Sequence, residues 1–312
     1  MITSLLFWSA ILILSLAVLI KASDHFTGAA EKIGLMAGIS PFVVGVTIVS
    51  IGTSLPELIS SLLAVYENAS EIVAGNVIGS NIANIFLILA AGAIMAKKLE
   101  IKRNLISVDL PLLVASAVFT VITTMDGEFS RGEAVLSVLC LAVFFAYLVS
   151  SGRVPATAGE PGSKMETRPF VVVLVSAIFI FLGAKFTIDA VVEISEILDL
   201  GKELVAVSAV ALGTSLPELA VTYSAVKKGN PEIVIGNVLG SNIFNTYAVL
   251  GIPGLFGALA VPVTLVKVGL PVLIGATVLF LVVTVDRKVT QWEGWVFLLL
   301  YAFFIGKIFD LI

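Results

Sequence analysis

The sequence predicts an all-α polytopic membrane protein with ten transmembrane helices arranged as two inverted five-helix repeats. Of its 312 residues, 59% are hydrophobic and 13% charged, with a mean hydropathy of +1.12; soluble domains carry about 25% charged residues. Ten stretches are apolar over roughly the 20 residues that a helix needs to cross hydrocarbon. The hexapeptide Gly-Thr-Ser-Leu-Pro-Glu at 52–57 returns intact at 213–218, an offset of 161 residues.

Taken in order, the first apolar run, near 4–21, lacks a basic leader segment and a small-residue cleavage site, so it reads as a helix rather than a signal peptide. Spans near 40–66, 71–95, 106–124 and 131–150 complete a first half, residues 1–150, with its ion-binding repeat at 40–95. Ser151–Thr167, with Gly152, Pro155, Gly159, Pro161 and Gly162, is the linker-like stretch. Spans near 169–190, 203–227, 232–257, 262–284 and 291–309 make the second half, residues 168–312, with its repeat at 203–257. Five crossings per half force the two copies to enter the membrane in opposite directions, the plan of many secondary transporters. With the N-terminus outside, 13 of the 18 Lys and Arg residues fall in cytoplasmic segments. The positive-inside rule therefore predicts extracellular termini, a cytoplasmic 151–167 linker and a multi-pass protein of the cell membrane.

The repeat has a second element. Gly75-Asn76-Val77-Ile78-Gly79-Ser80-Asn81 reappears as Gly236-Asn237-Val238-Leu239-Gly240-Ser241-Asn242, and Asn84 maps onto Asn245. Across 52–84 and 213–245, 20 of 33 positions are identical, whereas the other spans match mainly in hydropathy. Simple duplication leaves identity everywhere, so the constraint lies in two helices per half.

Glu57 and Glu218 are the sharpest candidates, because a carboxylate in hydrocarbon is costly unless it faces a bundle interior or water. Pro56 and Pro217 give no N–H to the carbonyls of Gly52 and Gly213, which predicts broken or kinked helices there and free backbone oxygens around 49–53 and 210–214. Thr53, Ser54 and Glu57 share a helical face. Asn76, Ser80 and Asn84 form a polar stripe that Asn237, Ser241 and Asn245 repeat. Hard oxygen donors without thiolate or imidazole suit Ca²⁺, Na⁺ or Mg²⁺. For the motif glycines the reading favours helix packing; for Asn76, Asn81, Asn237 and Asn242, helix-to-helix hydrogen bonds and ion contact stand level.

Cys140 and His25 are each alone in the chain, which excludes an intramolecular disulfide and a multi-histidine metal site. Asp109 and Lys185 fall within spans and call for a partner or a path to the interface. An intramembrane hydrolase built on Ser54 or Ser215 lacks a general base, so no enzyme and no cofactor is expected. A cation channel could use the same oxygen ligands, but inverted repeats with interrupted helices favour a transporter.

The paired Gly-Thr-Ser-Leu-Pro-Glu and Gly-Asn-Val-Ile/Leu-Gly-Ser-Asn motifs resemble the alpha repeats of the calcium/cation antiporter superfamily, and within it the prokaryotic sodium/calcium exchangers. The resemblance implies an antiporter that exchanges Na⁺ for Ca²⁺ by alternating access, with the first and sixth spans sliding past the core. Its partners would be the two ions and the bilayer, with no nucleic acid and no obligatory protein partner. Calcium would bind Glu57, Glu218 and the carbonyls of Thr53 and Thr214. Flanking sodium sites would use Ser50, Ser54 and Ser80 in one half and Ala211, Ser215 and Ser241 in the other, with Asn84 and Asn245 at the centre. Many relatives carry Asp where this chain has Asn245. That departure leaves two acids and keeps H⁺/Ca²⁺ exchange open as the alternative coupling.

Overall fold

The computed structural model describes residues 2–151, 166–198 and 215–308. Among the described residues ten helices follow one another: α1 (Ile2–Ala37), α2 (Pro41–Tyr66), α3 (Glu71–Ala96), α4 (Asp109–Thr124), α5 (Arg131–Ser151), α6 (Arg168–Ile197), α7 (Leu216–Lys227), α8 (Pro231–Gly254), α9 (Leu265–Val285) and α10 (Gln291–Ile308). Seven are long and apolar enough to cross a membrane.

The hydrophobic order is that of a bilayer protein: Leu6, Ile13, Leu174, Val282 and Leu299 are exposed, while hydroxyls and amides collect inside. α8 lies at the centre, with every residue from Ile233 to Leu250 buried. It packs on α2 because glycines let the backbones meet. A Cβ on Gly240 would lie 2.5 Å from the Val46 carbonyl oxygen, and one on Gly236 2.3 Å from that of Phe42. The packing role read for these two glycines in the sequence is the one they have.

α1 and α6 run against each other on one flank. Thr187 Oγ1 donates to Ser15 Oγ at 2.9 Å, and Gly183 sits against the Leu19 backbone. Both helices exceed the lengths expected of them, 36 and 30 residues against spans near 4–21 and 169–190. The polar residues after Lys21 do not stop α1, because Ser23 and Thr27 return their hydroxyls to the carbonyls of Leu19 and Ser23 at 2.8 and 2.9 Å, while Phe26 is fully buried against Gly52. At about 1.5 Å per residue, α1 is longer than hydrocarbon is thick.

Two short ribbons tie the halves together. β1 (Lys98–Glu100) pairs antiparallel with β4 (Lys288–Thr290), and β2 (Glu128–Phe129) with β3 (Leu259–Ala260). Shifting by 161 residues carries Lys98 and Leu99 onto Leu259 and Ala260, so each ribbon is the repeat equivalent of the other. Five helices separate equivalent points, which puts the ribbons on opposite membrane faces, as inverted repeats require.

Most charges flagged in the sequence are peripheral. Asp109 is buried at the start of α4, where Arg103 Nε donates to its Oδ2 at 2.8 Å and the Tyr147 hydroxyl to its Oδ1 at 3.0 Å. Arg103 also stacks over Phe42, 5.1 Å from the ring centroid. Lys185 and His25 are exposed.

Candidate functional site

Each glutamate is carried on a helix, Glu57 within α2 and Glu218 in the first turn of α7. α2 enters as a short α segment, passes through a π-helical turn at Gly45–Val49, and resumes as α-helix from Ser50 to Tyr66. The π turn is closed by the Ser50 N–H reaching the Gly45 carbonyl. This corrects the expected break at Pro56: the helix stays α-helical through the proline, and its irregularity lies one to two turns earlier. There an extra residue is absorbed, a feature that gathers at functional sites. Pro217 sits in the first turn of α7, where the missing N–H costs nothing. Glu218 follows it in that turn, at the positive end of the helix dipole.

π turns also begin at the two central amides. The segment Asn84–Leu89 in α3 and Asn245–Leu250 in α8 are both π-helical, at the same 161-residue offset as the motifs.

Of the twelve site residues read from the sequence, ten lie among the described residues; Ala211 and Thr214 lie outside them. All ten are buried: Ser50, Thr53, Ser54, Glu57, Ser80, Asn84, Ser215, Glu218, Ser241 and Asn245. Glu57 and Glu218 retain 4% and 1% exposure. The structure joins several of the ten across the halves. Thr53 Oγ1 donates to Asn237 Oδ1 at 3.4 Å, as does Ser241 Oγ at 3.4 Å. Asn84 Nδ2 donates to Asn242 Oδ1 at 3.0 Å. Ser80 Oγ donates to Asn76 Oδ1 at 3.4 Å, and Asn76 Nδ2 to the Glu57 carbonyl at 3.2 Å. Ser50 Oγ instead bonds back to the Val46 carbonyl at 2.5 Å.

Glu57 Oε2, Glu218 Oε2, Ser54 Oγ and Asn245 Oδ1 are buried oxygens with no hydrogen-bond partner among the described residues. The ion pairs among those residues include Lys98–Glu100, Arg103–Asp109 and Lys227–Asp24, and neither glutamate is paired with a cationic side chain among the described residues. Two unneutralised carboxylates and nearby hard oxygens form a donor set that fits a desolvated cation. No cluster of three His, Cys, Asp or Glu side chains occurs among the described residues, which leaves the acids as a pair.

One network escaped the sequence reading. Asn81 Nδ2 donates to the Asn242 carbonyl at 3.3 Å and to Thr246 Oγ1 at 3.2 Å; Thr246 Oγ1 lies 3.1 Å from Thr120 Oγ1, and Ser137 Oγ donates to the Thr246 carbonyl at 3.1 Å. It locks α3, α4, α5 and α8 together behind the amides. Asn81 and Asn242 stand here as helix-to-helix bonds.

Ten helices in two matching halves, with paired buried carboxylates between them, define a membrane transporter of the inverted-repeat class. The model of the family "Sodium/calcium exchanger protein" matches residues 7–150 and 168–309. The chain belongs to that family, whose members are cation antiporters rather than enzymes. It is 32% identical over 343 residues to the sodium/calcium exchanger MaX1 of Methanosarcina acetivorans, covering 96% of this chain and 97% of that protein. To the inner membrane protein YrbG of Escherichia coli it is 31% identical over 261 residues, 79% of each. Its fold matches that of the sodium-calcium exchanger NCX_Mj soaked with Na⁺ and Sr²⁺, with a TM-score of 0.85 at 30% identity, over 97% of this chain and 99% of that one.

Proposed function

We propose that this antiporter exchanges Na⁺ for Ca²⁺ across the cell membrane by alternating access. The observation that carries the reading is the pair of buried glutamates, one per repeat, with unpartnered oxygens and no cationic side chain to neutralise them among the described residues. Two carboxylates balance one Ca²⁺. Leaving such charges buried and bare is costly, so the occupant of the site is a cation, and return of the empty carrier requires others to take its place.

In this reading Glu57 and Glu218 hold Ca²⁺ with the carbonyls of Thr53 and Thr214. Ser50, Ser54 and Ser80, and Ala211, Ser215 and Ser241, serve the flanking Na⁺ sites, and Asn84 and Asn245 orient the centre. The two repeats are residues 1–150 and 168–312, with both termini extracellular and 151–167 a cytoplasmic linker. The relatives' names, sodium/calcium exchanger for MaX1 and sodium-calcium exchanger for NCX_Mj, support the ion pair. H⁺ is the alternative counter-ion, because an amide at position 245 leaves two acids, enough to carry two protons in place of one Ca²⁺.

Purified protein in liposomes, loaded with Na⁺ and diluted into ⁴⁵Ca²⁺, tests this. Uptake that requires the outward Na⁺ gradient and ignores a matched proton gradient is expected; uptake driven by protons alone moves the coupling to H⁺, and passive uptake without a counter-ion makes the protein a channel.

A further inference from the structure

The 161-residue offset pairs hydrogen bonds as well as motifs, and one half has made bonds that the other has not. In the first half Asn76 Nδ2 donates to the Glu57 carbonyl at 3.2 Å and to Ser61 Oγ at 3.0 Å. α3 thereby clasps α2 at the backbone of the glutamate itself. The repeat equivalents of Asn76, Glu57 and Ser61 are Asn237, Glu218 and Thr222. There the clasp is open. Asn237 is engaged across the interface with Thr53 at 3.4 Å, while Asn237 Nδ2 and Thr222 Oγ1 are buried and have no hydrogen-bond partner among the described residues. Those two atoms are the counterparts of the two that bond each other as Asn76 Nδ2 and Ser61 Oγ.

An unpaired donor and an unpaired acceptor, both buried on the adjacent helices α7 and α8, are costly. Their match to a formed bond in the other half gives the cost a purpose. A two-fold axis in the membrane plane exchanges the repeats and also exchanges the membrane faces. A molecule in which each half adopts the other's conformation therefore opens to the opposite side, and a bond made in one half, where the other half carries the groups to make it and does not, is one that can change in transit.

We infer that Asn76 and Asn237 are alternating positioning residues: in this conformation Asn76 clasps Glu57, and in the opposite-facing one Asn237 clasps Glu218 and Thr222 while Asn76 releases Glu57. The inference rests on the reading of the two glutamates as the transported cation's ligands. Each clasp fixes the backbone behind one carboxylate, so alternation couples the geometry of the site to the side on which it opens.

Cross-linking tests the exchange without any flux. In a Cys140→Ala background, Ser61→Cys with Asn76→Cys and Thr222→Cys with Asn237→Cys are each expected to form a disulfide under mild oxidation, read by peptide mass spectrometry. With all four cysteines present, each molecule is expected to carry one bridge or the other. Absence of the 222–237 bridge where the 61–76 bridge forms, or both bridges in one molecule, overturns the inference. Should the cysteine variants fail to fold, Ser61→Ala and Thr222→Val provide the second readout. They are expected to shift the ratio of apparent Ca²⁺ affinities at the two membrane faces in opposite directions, by about fivefold, the population change that loss of one neutral hydrogen bond gives. Shifts in the same direction, or none, overturn it. Mutually exclusive bridges in a protein without Na⁺-driven Ca²⁺ flux would sink the ion assignment alone; flux with both bridges in one molecule would sink the alternation alone.

Discussion

Replacing Glu57 by Gln keeps the volume of the side chain and removes one of the two buried charges. At an effective dielectric of about 20, a carboxylate and a divalent cation about 2.4 Å apart attract by roughly 14 kcal/mol before either is desolvated. Desolvation offsets most of this, and removing one partner of a buried ionic contact leaves a net loss of about 3–5 kcal/mol. At 1.4 kcal/mol per decade, Ca²⁺ binding is expected to weaken about 10²- to 4 × 10³-fold, measured by equilibrium dialysis of the purified variant against ⁴⁵Ca²⁺. Stability should move the other way. Glu57 is buried with Oε2 unpartnered and no cationic side chain paired with it among the described residues, so in Ca²⁺- and Na⁺-free buffer the variant is expected to melt no lower than the parent. A variant that binds Ca²⁺ as the parent does, yet melts lower in ion-free buffer, would refute the reasoning and make Glu57 a structural group.

Three further outcomes follow from the same geometry. Gly240→Ala places a methyl 2.5 Å from the Val46 carbonyl oxygen, closer than any real contact allows, and is expected to cost about 1–3 kcal/mol in a detergent thermal melt, with no effect expected from Gly257→Ala, which meets nothing within 4 Å. Asp109→Asn leaves Arg103 without its carboxylate partner and is expected to lower the melting temperature while the parent's apparent Ca²⁺ affinity is kept; a loss of affinity in the folded variant would draw α4 into the ion path. Asn245→Asp adds a third acid to the donor set, so the pH profile of its transport is expected to shift from the parent's, because like charges cannot all ionise together. A pH profile superimposable on the parent's would put residue 245 outside the site.

Much of this architecture was legible because the chain states it twice. The glutamates, the asparagine stripes and the inverted halves all follow from identity at one offset in an apolar background, and ten apolar runs gave the ten helices. What the sequence could not disclose has no repeated copy or no local signal. Thr246 holds the amide network together, but its repeat equivalent is Ile85, so the offset does not mark it. The partnership of Asp109 with Tyr147 spans 38 residues. The length of α1 was missed because a run of polar residues after Lys21 reads as a helix end, although hydroxyls bonded to their own backbone and a buried Phe26 carry the helix onward. No break occurs at Pro56, because proline removes a single ladder bond, whereas the extra residue is taken up at Gly45–Val49, where Gly45 packs against the α8 backbone. The asymmetry between Asn76 and Asn237 leaves no trace in the sequence, since the two residues are identical and differ only in the bonds they make.

The central claim, that the transported cation sits between the two glutamates, is tested most directly by anomalous diffraction from crystals of this protein soaked in Sr²⁺. The account expects a peak about 2.3–2.6 Å, or slightly more for the larger ion, from carboxylate oxygens of both Glu57 and Glu218, lost in Glu57→Gln crystals soaked alike. A peak elsewhere in transport-active protein, with neither glutamate as a ligand, would contradict it.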